Sequence, residues 1–352
     1  MKKKESFKSS IRVAEYHNNS DIRIKNISMP KIGENEILIK MQACGICGTD
    51  VMEWYRKKSA PKVLGHEMSG LIADVGKNIE KYKVNDRVFV SHHVPCFDCF
   101  YCDSDKHSAC DSLHTGNFYP GGFSEFIRVP EDNVNYGTFI LPDDMGFDEA
   151  TMIEPMACAV AGQKSMQMDH DQFLVILGSG ISGLCHIQLA KNKNIKILAT
   201  DISENRMNQA LEYGADYSFH ADELCVEKVK ELNGGRLADK VIVCTGSSSA
   251  VEDAFKYIDK KGEILFFAVP EGNIEIPSTM LWRNEISLHF SYGASTNDIA
   301  ETIELSIDQK IDLQKMISHQ ISLSDISYGF KLVERAEDSI KVVVKPDELI
   351  EE

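Results

Sequence analysis

The stretch Phe173-Leu174-Val175-Ile176-Leu177-Gly178-Ser179-Gly180-Ile181-Ser182-Gly183 contains an apolar run, a glycine-rich turn and the start of a helical pattern. A continuous apolar run of this kind is typical of a strand buried on both faces of a parallel sheet. Gly178 and Gly180 permit a tight turn and a close approach to a pyrophosphate, and Gly183 lets the helix pack against the strand. The amides at the helix start, from Ile181, would bind that phosphate. The stretch therefore predicts the first βα unit of a dinucleotide-binding domain.

The acidic residue Asp201 ends the next predicted strand, 195–201. This is the spacing at which a carboxylate accepts hydrogen bonds from the adenosine ribose of a dinucleotide. Because a carboxylate repels a 2′-phosphate there, NAD is favoured over NADP, although Arg206 moderates the preference. The alternative is that Asp201 only neighbours a helix N-cap. Other candidate contacts of the cofactor are Thr245, Val269 and Tyr292.

The remaining pattern divides the chain into two parts. Helices over 181–192 and 203–213 and strands over 241–244 and 263–269 continue the βα alternation, which is typical of an α/β fold with a doubly wound parallel sheet. We expect this nucleotide domain to comprise residues 156–292.

The flanking residues differ from this pattern. From about 11 to 155 the chain is β-rich, with strand candidates at 36–41, 70–76, 86–90 and 122–130. Helical patterns over 306–319 and 323–333 and a strand over 340–344 follow the nucleotide domain. We expect residues 1–155 and 293–352 to form one discontinuous catalytic domain.

A candidate metal site lies in the first part of the chain. Catalytic zinc takes three protein ligands from Cys, His and Asp or Glu and keeps a fourth position open. Cys47 and His66 are candidates for two of these ligands, and Glu67 and Glu154 are alternatives for the third. Thr49 places a hydroxyl two residues after the thiol. The alternative is that the cysteine and the histidine are ordinary core residues.

A second metal site is predicted in a lobe at about 92–115. Two, two and seven residues separate its successive cysteines, which are Cys96, Cys99, Cys102 and Cys110. Four thiolates close a tetrahedral shell without an open position, as in structural zinc sites. An iron–sulfur cluster is the alternative, but the last gap does not match the ferredoxin pattern. We therefore expect two zinc ions per chain, one catalytic and one structural.

Composition restricts the function further. The chain has 352 residues and a formal net charge of -16, which argues against nucleic-acid binding, since that requires a positive field. A small anionic substrate held by one or two local Arg or Lys side chains is not excluded. No apolar run is long enough to span a membrane. Ten clustered cysteines indicate metal ligation in a reducing cytoplasm and not a disulfide framework.

Together these motifs resemble the zinc-dependent medium-chain dehydrogenase/reductase (alcohol dehydrogenase) superfamily, and most closely its polyol branch, the sorbitol or L-iditol 2-dehydrogenase type. The quoted matches are Cys47-Gly48-Thr49, Gly65-His66-Glu67, Gly121-Gly122-Phe123-Ser124-Glu125-Phe126 and Glu154-Pro155. The resemblance implies a GroES-like catalytic domain joined to a Rossmann NAD domain. It also implies a homodimer or homotetramer, and the apolar strand after Pro270-Glu271-Gly272 is a candidate edge for that pairing.

The implied reaction is hydride transfer between a secondary alcohol and its ketone. Zinc polarises the substrate hydroxyl, hydride passes to the nicotinamide, and Thr49 takes up the hydroxyl proton and passes it toward the nicotinamide ribose. Glu67 either ligates zinc or supports the ligands. The sequence departs from the family at Met52, where many relatives carry a relay His, and at Ser291, where sorbitol-type enzymes tend to carry Arg. Candidate pocket residues are Met52, Tyr55, Phe118 and Tyr292.

Several functions remain open at this point. The substrate is a polyol, a cyclitol or a similar small alcohol. A threonine-type amino alcohol would need an acidic pocket group, and a sugar phosphate would need a local Arg or Lys. A non-catalytic nucleotide-binding protein with structural zinc only is the remote alternative. A zinc-finger role for the cysteine lobe is disfavoured because its flanks, such as Asp98 and Asp103, are acidic.

Overall fold

The computed structural model describes residues 9–114, 118–269 and 272–350. Its strands, in chain order, are β1 (Ser10–Asn18), β2 (Asp21–Ser28), β3 (Ile37–Gly45), β4 (Lys62–Val63), β5 (Glu67–Val75), β6 (Arg87–Val90), β7 (Phe126–Val129), β8 (Thr138–Ile140), β9 (Phe173–Leu177), β10 (Lys196–Asp201), β11 (Tyr217–His220), β12 (Ala238–Val243), β13 (Ile258–Phe266), β14 (Ser287–Phe290), β15 (Ile317–Ser322) and β16 (Lys341–Lys345).

The helices are, in chain order, α1 (Glu53–Arg56), α2 (Phe100–Asp103), α3 (Glu131–Tyr136), α4 (Phe147–Ala150), α5 (Ile153–Lys164), α6 (Ile181–Lys191), α7 (Glu204–Tyr213), α8 (Val226–Leu232), α9 (Ser248–Tyr257), α10 (Ser278–Asn284), α11 (Thr296–Ile307) and α12 (Ile326–Arg335). Within the described ranges, no helix is both long and apolar enough to cross a membrane.

The chain forms two compact units. The first contains the described chain up to Glu154 together with Ser295–Ile303 and the chain from Leu313 onward, and the second contains Pro155–Ala294 and Glu304–Asp312. We propose that these units correspond to the two domains expected from the sequence, with boundaries that differ by one or two residues at the first two changeovers. The short excursion at 304–312 was not expected.

The first unit is built on antiparallel strands. Its larger sheet has the order β15-β16-β3-β5-β6-β8, with β7 also paired to β3, and a smaller sheet has the order β2-β1-β4. β3 is buried along most of its length, because it pairs with β5, β7 and β16 and contributes Ile37, Ile39, Met41 and Cys44 to the hydrophobic core. This arrangement brings β16 beside Gly45, at the end of β3.

The second unit contains a parallel sheet of order β11-β10-β9-β12-β13-β14. β9 lies at its centre and every residue of it is buried, as the continuous apolar run predicts. The strand order reverses on either side of β9, so the carboxyl ends of β9, β10 and β12 converge where dinucleotides bind in folds of this type. The predicted fold class is confirmed.

Two local predictions are wrong. Residues 306–319 are not a helix, because α11 ends at Ile307, Gln309 adopts a φ of +55°, and β15 pairs in parallel with β16. The expected pairing strand also fails: Pro270 and Glu271 lie outside the described residues, and residues 272–277 contain no strand. The edge of the parallel sheet is β14 instead.

Candidate active site

The end of β3 positions the thiol of Cys47. After Gly45 the chain enters a 3-10 turn over Gly48–Asp50, and Cys47 is its N-cap. The Cys47 amide donates to Asp50 Oδ2 at 3.1 Å, and the Thr49 amide donates to Cys47 Sγ at 3.4 Å. These reciprocal bonds form a capping box in which the thiol replaces the usual hydroxyl, so the local turn fixes the sulfur.

The glycine that precedes His66 is required by close packing between the segments that contain Gly65 and Gly122. Gly65 has a φ of +88°, and a Cβ there would lie 2.8 Å from the Phe123 amide nitrogen. A Cβ on Gly122 would meet Cys44 Sγ at 2.7 Å. Both positions therefore require glycine, and the motif delivers His66 just before β5 begins.

The predicted ligands come together in two overlapping groups. The donor atoms of Cys47, His66 and Glu67 all lie within 4.8 Å of one another. His66, His92 and Glu154 form a second group with the same limit. The structure thus brings the candidate ligands to one place, and it adds His92, which the sequence analysis missed.

Glu67 is buried between the metal-binding groups and a lysine. Lys341 Nζ donates to Glu67 Oε2 at 2.6 Å and to the Ile46 carbonyl at 3.3 Å, and both side chains are almost fully inaccessible. Glu67 Oε1 has no hydrogen-bond partner among the described residues. Burial lowers the pKa of Lys341, but the charges of Glu67, Cys47 and Glu154 and the hydrogen bond to Glu67 together raise it above its ordinary value, so Lys341 is a buried cation.

His66 is oriented by a buried carboxylate. Asp50 is fully buried, and its Oδ1 lies 3.6 Å from His66 Nδ1 and 3.3 Å from Arg56 Nη2. Burial opposes protonation of His66, but the negative charges of Asp50 and Cys47 raise its pKa well above the ordinary value. A negative field that stabilises a proton on His66 also stabilises a metal cation.

These observations test whether the mixed group fits zinc. Sulfur, imidazole and carboxylate are the donors that catalytic zinc uses. Buried Glu67 keeps one carboxylate oxygen, Oε1, without a hydrogen-bond partner among the described residues, and the negative charges of Asp50 and Cys47 surround His66, so the residues fit a metal cation. Thr49, which the sequence analysis expects to accept a proton, lies beside the thiol: its Oγ1 donates to Cys47 Sγ at 3.3 Å and accepts from Arg56 Nη2 at 2.8 Å.

The four-cysteine lobe fits a closed zinc site. Cys96 Sγ lies 4.0 Å from Cys102 Sγ and 3.6 Å from Cys110 Sγ, and Cys99 and Cys102 are 3.6 Å apart. Zn–S bonds of about 2.3 Å in a tetrahedron give sulfur separations of about 3.8 Å. Burial raises the pKa of Cys110. Hydrogen bonds from the backbone amides of Cys96 and Ser112 and a hydrogen bond with the Cys96 thiol lower that pKa to about 7.

The second unit brings the predicted glycines of the cofactor site together in one turn. Gly178 has a φ of +96°, and a Cβ on Gly183 would lie 2.1 Å from the Gly178 carbonyl oxygen. Gly180 is the N-cap of α6 and has no capping side chain, so the amides from Ile181 onward have no side-chain acceptor from the cap. This is the geometry that binds a pyrophosphate.

Asp201 lies at the end of β10, beside that turn. Its oxygens accept from the amides of Ser179 at 2.8 Å and Ser203 at 3.0 Å, and Arg206 Nη1 is 3.9 Å away. The Thr245 Cβ lies 3.2 Å from the position of a Cβ on Gly178.

The other predicted contacts are more scattered. Val269 and Tyr292 are exposed residues of the second unit. Of the pocket candidates in the first unit, Tyr55 is exposed, whereas Phe118 is buried in the hydrophobic core.

Four residues of the mixed site were missed: Asp50, Arg56, His92 and Lys341. Asp50 stands three residues after Cys47, which is capping-box spacing. Lys341 is the one charge in the run Ile340-Lys341-Val342-Val343-Val344, and a charge in a buried strand indicates a buried partner. His92 and Arg56 have no comparable signal.

Two protein-family models match the chain, each over a different range of residues. Residues 33–138 match the alcohol dehydrogenase GroES-like domain, and residues 182–308 match the zinc-binding dehydrogenase domain. An L-threonine 3-dehydrogenase from Bacillus velezensis is 31% identical over 92% of this chain and 95% of its own length. A sorbitol dehydrogenase from Bacillus subtilis is 27% identical over 96% and 98%.

A solved structure is similar to this chain over nearly its whole length. That of 2R,3R-butanediol dehydrogenase from Bacillus subtilis has a TM-score of 0.84 and 26% identity, over 96% of this chain and 100% of that one. The matched families are zinc-dependent oxidoreductases, as the sequence analysis predicted for cofactor and enzyme class. The chain therefore belongs to the zinc-dependent medium-chain dehydrogenase superfamily, in its alcohol and polyol dehydrogenase branch.

Proposed function

We propose that this protein is an NAD-dependent zinc alcohol dehydrogenase that interconverts a secondary hydroxyl of a polyol, cyclitol or similar small alcohol with the ketone. The observation that carries the proposal is the pair of overlapping donor groups that share His66 and include Cys47, Glu67 and Glu154, with the Thr49 hydroxyl 3.3 Å from the Cys47 sulfur. Three zinc ligands drawn from these residues would leave the fourth position of the metal for the substrate oxygen, beside the Thr49 hydroxyl. The similar proteins support it, because threonine, sorbitol and 2,3-butanediol each contain a secondary alcohol.

The residues of the site have separate roles in the proposed reaction. When bound, zinc supplies Lewis acidity that lowers the pKa of the substrate hydroxyl, and NAD⁺ accepts the hydride. Cys47 and His66 hold the metal, and Asp50 orients His66. Thr49 Oγ1 accepts the hydroxyl proton of the substrate, which is general-base assistance worth about 10²–10⁴-fold in rate.

We propose Glu154 as the third zinc ligand and Glu67 as its support. Lys341 already balances the charge of Glu67 at 2.6 Å, and direct ligation by Glu67 would draw zinc toward that buried cation. Glu154 shares a donor group with His66 and His92. We expect Glu154→Ala to lose the catalytic zinc and Glu67→Gln to retain it, measured as zinc per chain. The reverse result would assign Glu67 as the ligand.

We propose NAD as the preferred dinucleotide. Asp201 accepts two backbone amides and keeps a carboxylate at the ribose position, where it repels a 2′-phosphate. Contacts are proposed from Gly178, Gly180, Ile181, Gly183, Asp201, Arg206, Thr245, Val269 and Tyr292. Asp201→Ser should reduce the ratio of kcat/KM for NAD to that for NADP. An unchanged ratio would remove Asp201 from cofactor selection.

The decisive experiment measures zinc per chain and then NADH formation on the same sample. The panel contains polyols, cyclitols, diols, amino alcohols and sugar phosphates. Two zinc ions and turnover on one class of secondary alcohol are expected. Turnover confined to threonine would favour the amino-alcohol function, which the Bacillus velezensis relative supports. A single zinc ion that survives Cys47→Ala would contradict the proposed function.

A further inference from the structure

Arg56 makes direct contact with the proposed proton acceptor, Thr49. It ends α1, and its Nη2 donates to Thr49 Oγ1 at 2.8 Å while its Nε donates to the Thr49 carbonyl at 2.9 Å. Nη2 also lies 3.3 Å from Asp50 Oδ1. One guanidinium thus contacts both the relay hydroxyl and the carboxylate behind His66.

The guanidinium is held rigidly. Only 18% of the Arg56 side chain is exposed, and its Cζ lies 5.0 Å from the centre of the Tyr55 ring. Two hydrogen bonds to one residue, made by a planar fork, fix orientation as well as distance. A surface arginine that only solvates a helix end would not be bound in this way.

The contacts determine what the Thr49 hydroxyl can do. A hydroxyl oxygen has one proton to donate and two lone pairs to accept with. Arg56 occupies one lone pair, so the Thr49 proton points away from Arg56, and in this structure it is directed at Cys47 Sγ. The second lone pair remains available to accept the proton of a substrate hydroxyl.

The neighbours of Thr49 on this side cannot accept the proton that leaves its hydroxyl. Arginine has no acceptor and does not lose its own proton in proteins. Met52, at the position where a relay histidine was expected, offers only a weakly accepting thioether. The segment containing Met52 and Arg56 therefore orients the hydroxyl but cannot receive the proton from it.

Resting on the proposed function, we propose that Arg56 is the positioning residue of proton transfer in this enzyme. It holds Thr49 Oγ1 as an acceptor toward the substrate. In the oxidation, the substrate C–H bond breaks and its hydride passes to NAD⁺. The O–H bond breaks and its proton passes to Thr49 Oγ1, while the original Thr49 proton leaves to a water or a cofactor hydroxyl. The products are the ketone, NADH and one proton.

The test is a double-mutant cycle on the zinc-loaded enzyme. The variants are Arg56→Met, Thr49→Val and the double variant, with Arg56→Lys as a charge-retaining variant that decides the question if Arg56→Met fails to fold. Arg23→Met is the matched control, because Arg23 is an exposed arginine that pairs with the neighbouring Asp21 on β2, outside the candidate site. Each sample is checked for two zinc ions per chain before assay.

Arg56→Met should lower kcat about 10- to 100-fold with KM changed less than about threefold, and it should raise the solvent deuterium isotope effect. Arg56→Lys should recover part of kcat, since lysine gives a charge without the fork. In the Thr49→Val background, Arg56→Met should add less than about twofold, because Arg56 acts through Thr49. Arg23→Met should equal wild type.

A spectroscopic measurement tests the same contact without turnover. Hydrogen bonds to a metal-binding thiolate tune its electronic transitions. With cobalt(II) in place of zinc, Arg56→Met frees the Thr49 hydroxyl from its fixed direction, so the sulfur-to-cobalt charge-transfer band should shift relative to wild type. Arg23→Met should leave the band in place.

The outcomes separate two failures. If wild type oxidises no alcohol, the proposed function fails and this inference fails with it. If wild type is active but Arg56→Met keeps kcat within twofold, or costs as much in the Thr49→Val background as alone, only the inference is overturned. Loss of zinc from Arg56→Met and Arg56→Lys would also overturn it, by assigning Arg56 to support of Asp50 and His66.

Discussion

The two candidate metal sites differ in how far apart along the chain their residues lie. The outermost cysteines of the lobe, Cys96 and Cys110, are 14 residues apart. In the mixed site, Glu67 and its partner Lys341 are 274 residues apart. The lobe is therefore specified by local spacing, whereas the mixed site exists only once β3, β5 and β16 have paired.

The sites also differ in their charges. The lobe offers four donors of one kind, enough to close a zinc shell. The mixed site offers more donors than zinc needs, namely Cys47, His66, Glu67, His92 and Glu154. It also surrounds them with the buried charges of Asp50 and Lys341. A metal site that only stabilises the fold can use four identical ligands. A catalytic site also needs charged groups that act on the substrate and on the proton that is transferred.

The largest effect is expected from opening the lobe. Structural zinc contributes about 10–16 kcal/mol to the folding of small zinc domains, so Cys99→Ala should unfold the lobe. Zinc should fall from two to one per chain, and trypsin should cleave after Lys106 much faster than in wild type. Cys225→Ala, at an exposed cysteine outside both sites, is the control. Loss of both zinc ions would show that the sites are not independent.

The next effect separates chemistry from stability. Cys47→Ala should leave the lobe zinc in place and reduce turnover roughly 10⁴-fold, because Lewis acidity of the metal is worth several kcal/mol in the transition state. Cys44→Ala, at a buried neighbour, should keep two zinc ions and activity. Equal losses in both variants would mean that packing at the end of β3, and not ligation, is being measured.

A third variant tests the buried ion pair. Removing one partner of such a pair leaves an uncompensated charge, so Lys341→Met should cost about 3–5 kcal/mol of unfolding free energy. The double variant Lys341→Met/Glu67→Leu should recover most of that loss, because neither charge of the pair is then left buried without its partner. Urea midpoints of the zinc-loaded proteins measure both. A double variant no better than the single would place the loss in packing.

The smallest effect comes from the space beside that pair. A Cβ on Gly45 would lie 2.1 Å from Glu67 Oε2, so Gly45→Ala must displace the carboxylate and should cost about 1–3 kcal/mol. A Cβ on Gly48 would meet nothing within 4 Å, so Gly48→Ala is the matched control. Equal urea midpoints for both variants would contradict the crowding argument.

Local features of the fold were predictable from the sequence, and long-range ones were not. The βα turn at Gly178 and the four cysteines depend on residues close in the chain, and their spacing alone indicated them. The prediction of a helix over 306–319 is wrong at its end, because residues 317–322 pair with β16. No local sequence pattern indicates that pairing. Pairing with a distant strand outweighed the helical periodicity.

The same limit applies to the site. Cys47, Thr49 and His66 were found because each belongs to a short motif. Lys341 and Arg56 were not, since their importance arises from the atoms they contact and not from neighbours in sequence. The significance of Arg56 lies in its hydrogen bond to Thr49, which the sequence does not show. A charged residue without a motif requires the fold before its role can be inferred.

The pairing of Glu67 with Lys341 also sets an order of events during synthesis. At about 5–20 residues per second, a ribosome needs roughly 14–55 s to travel the 274 residues between them. The lobe can capture its metal as soon as Cys110 has emerged, whereas Glu67 has no counter-charge until β16 is made. We therefore expect a nascent chain to acquire structural zinc early and to complete its reactive centre only after Lys341 has left the exit tunnel.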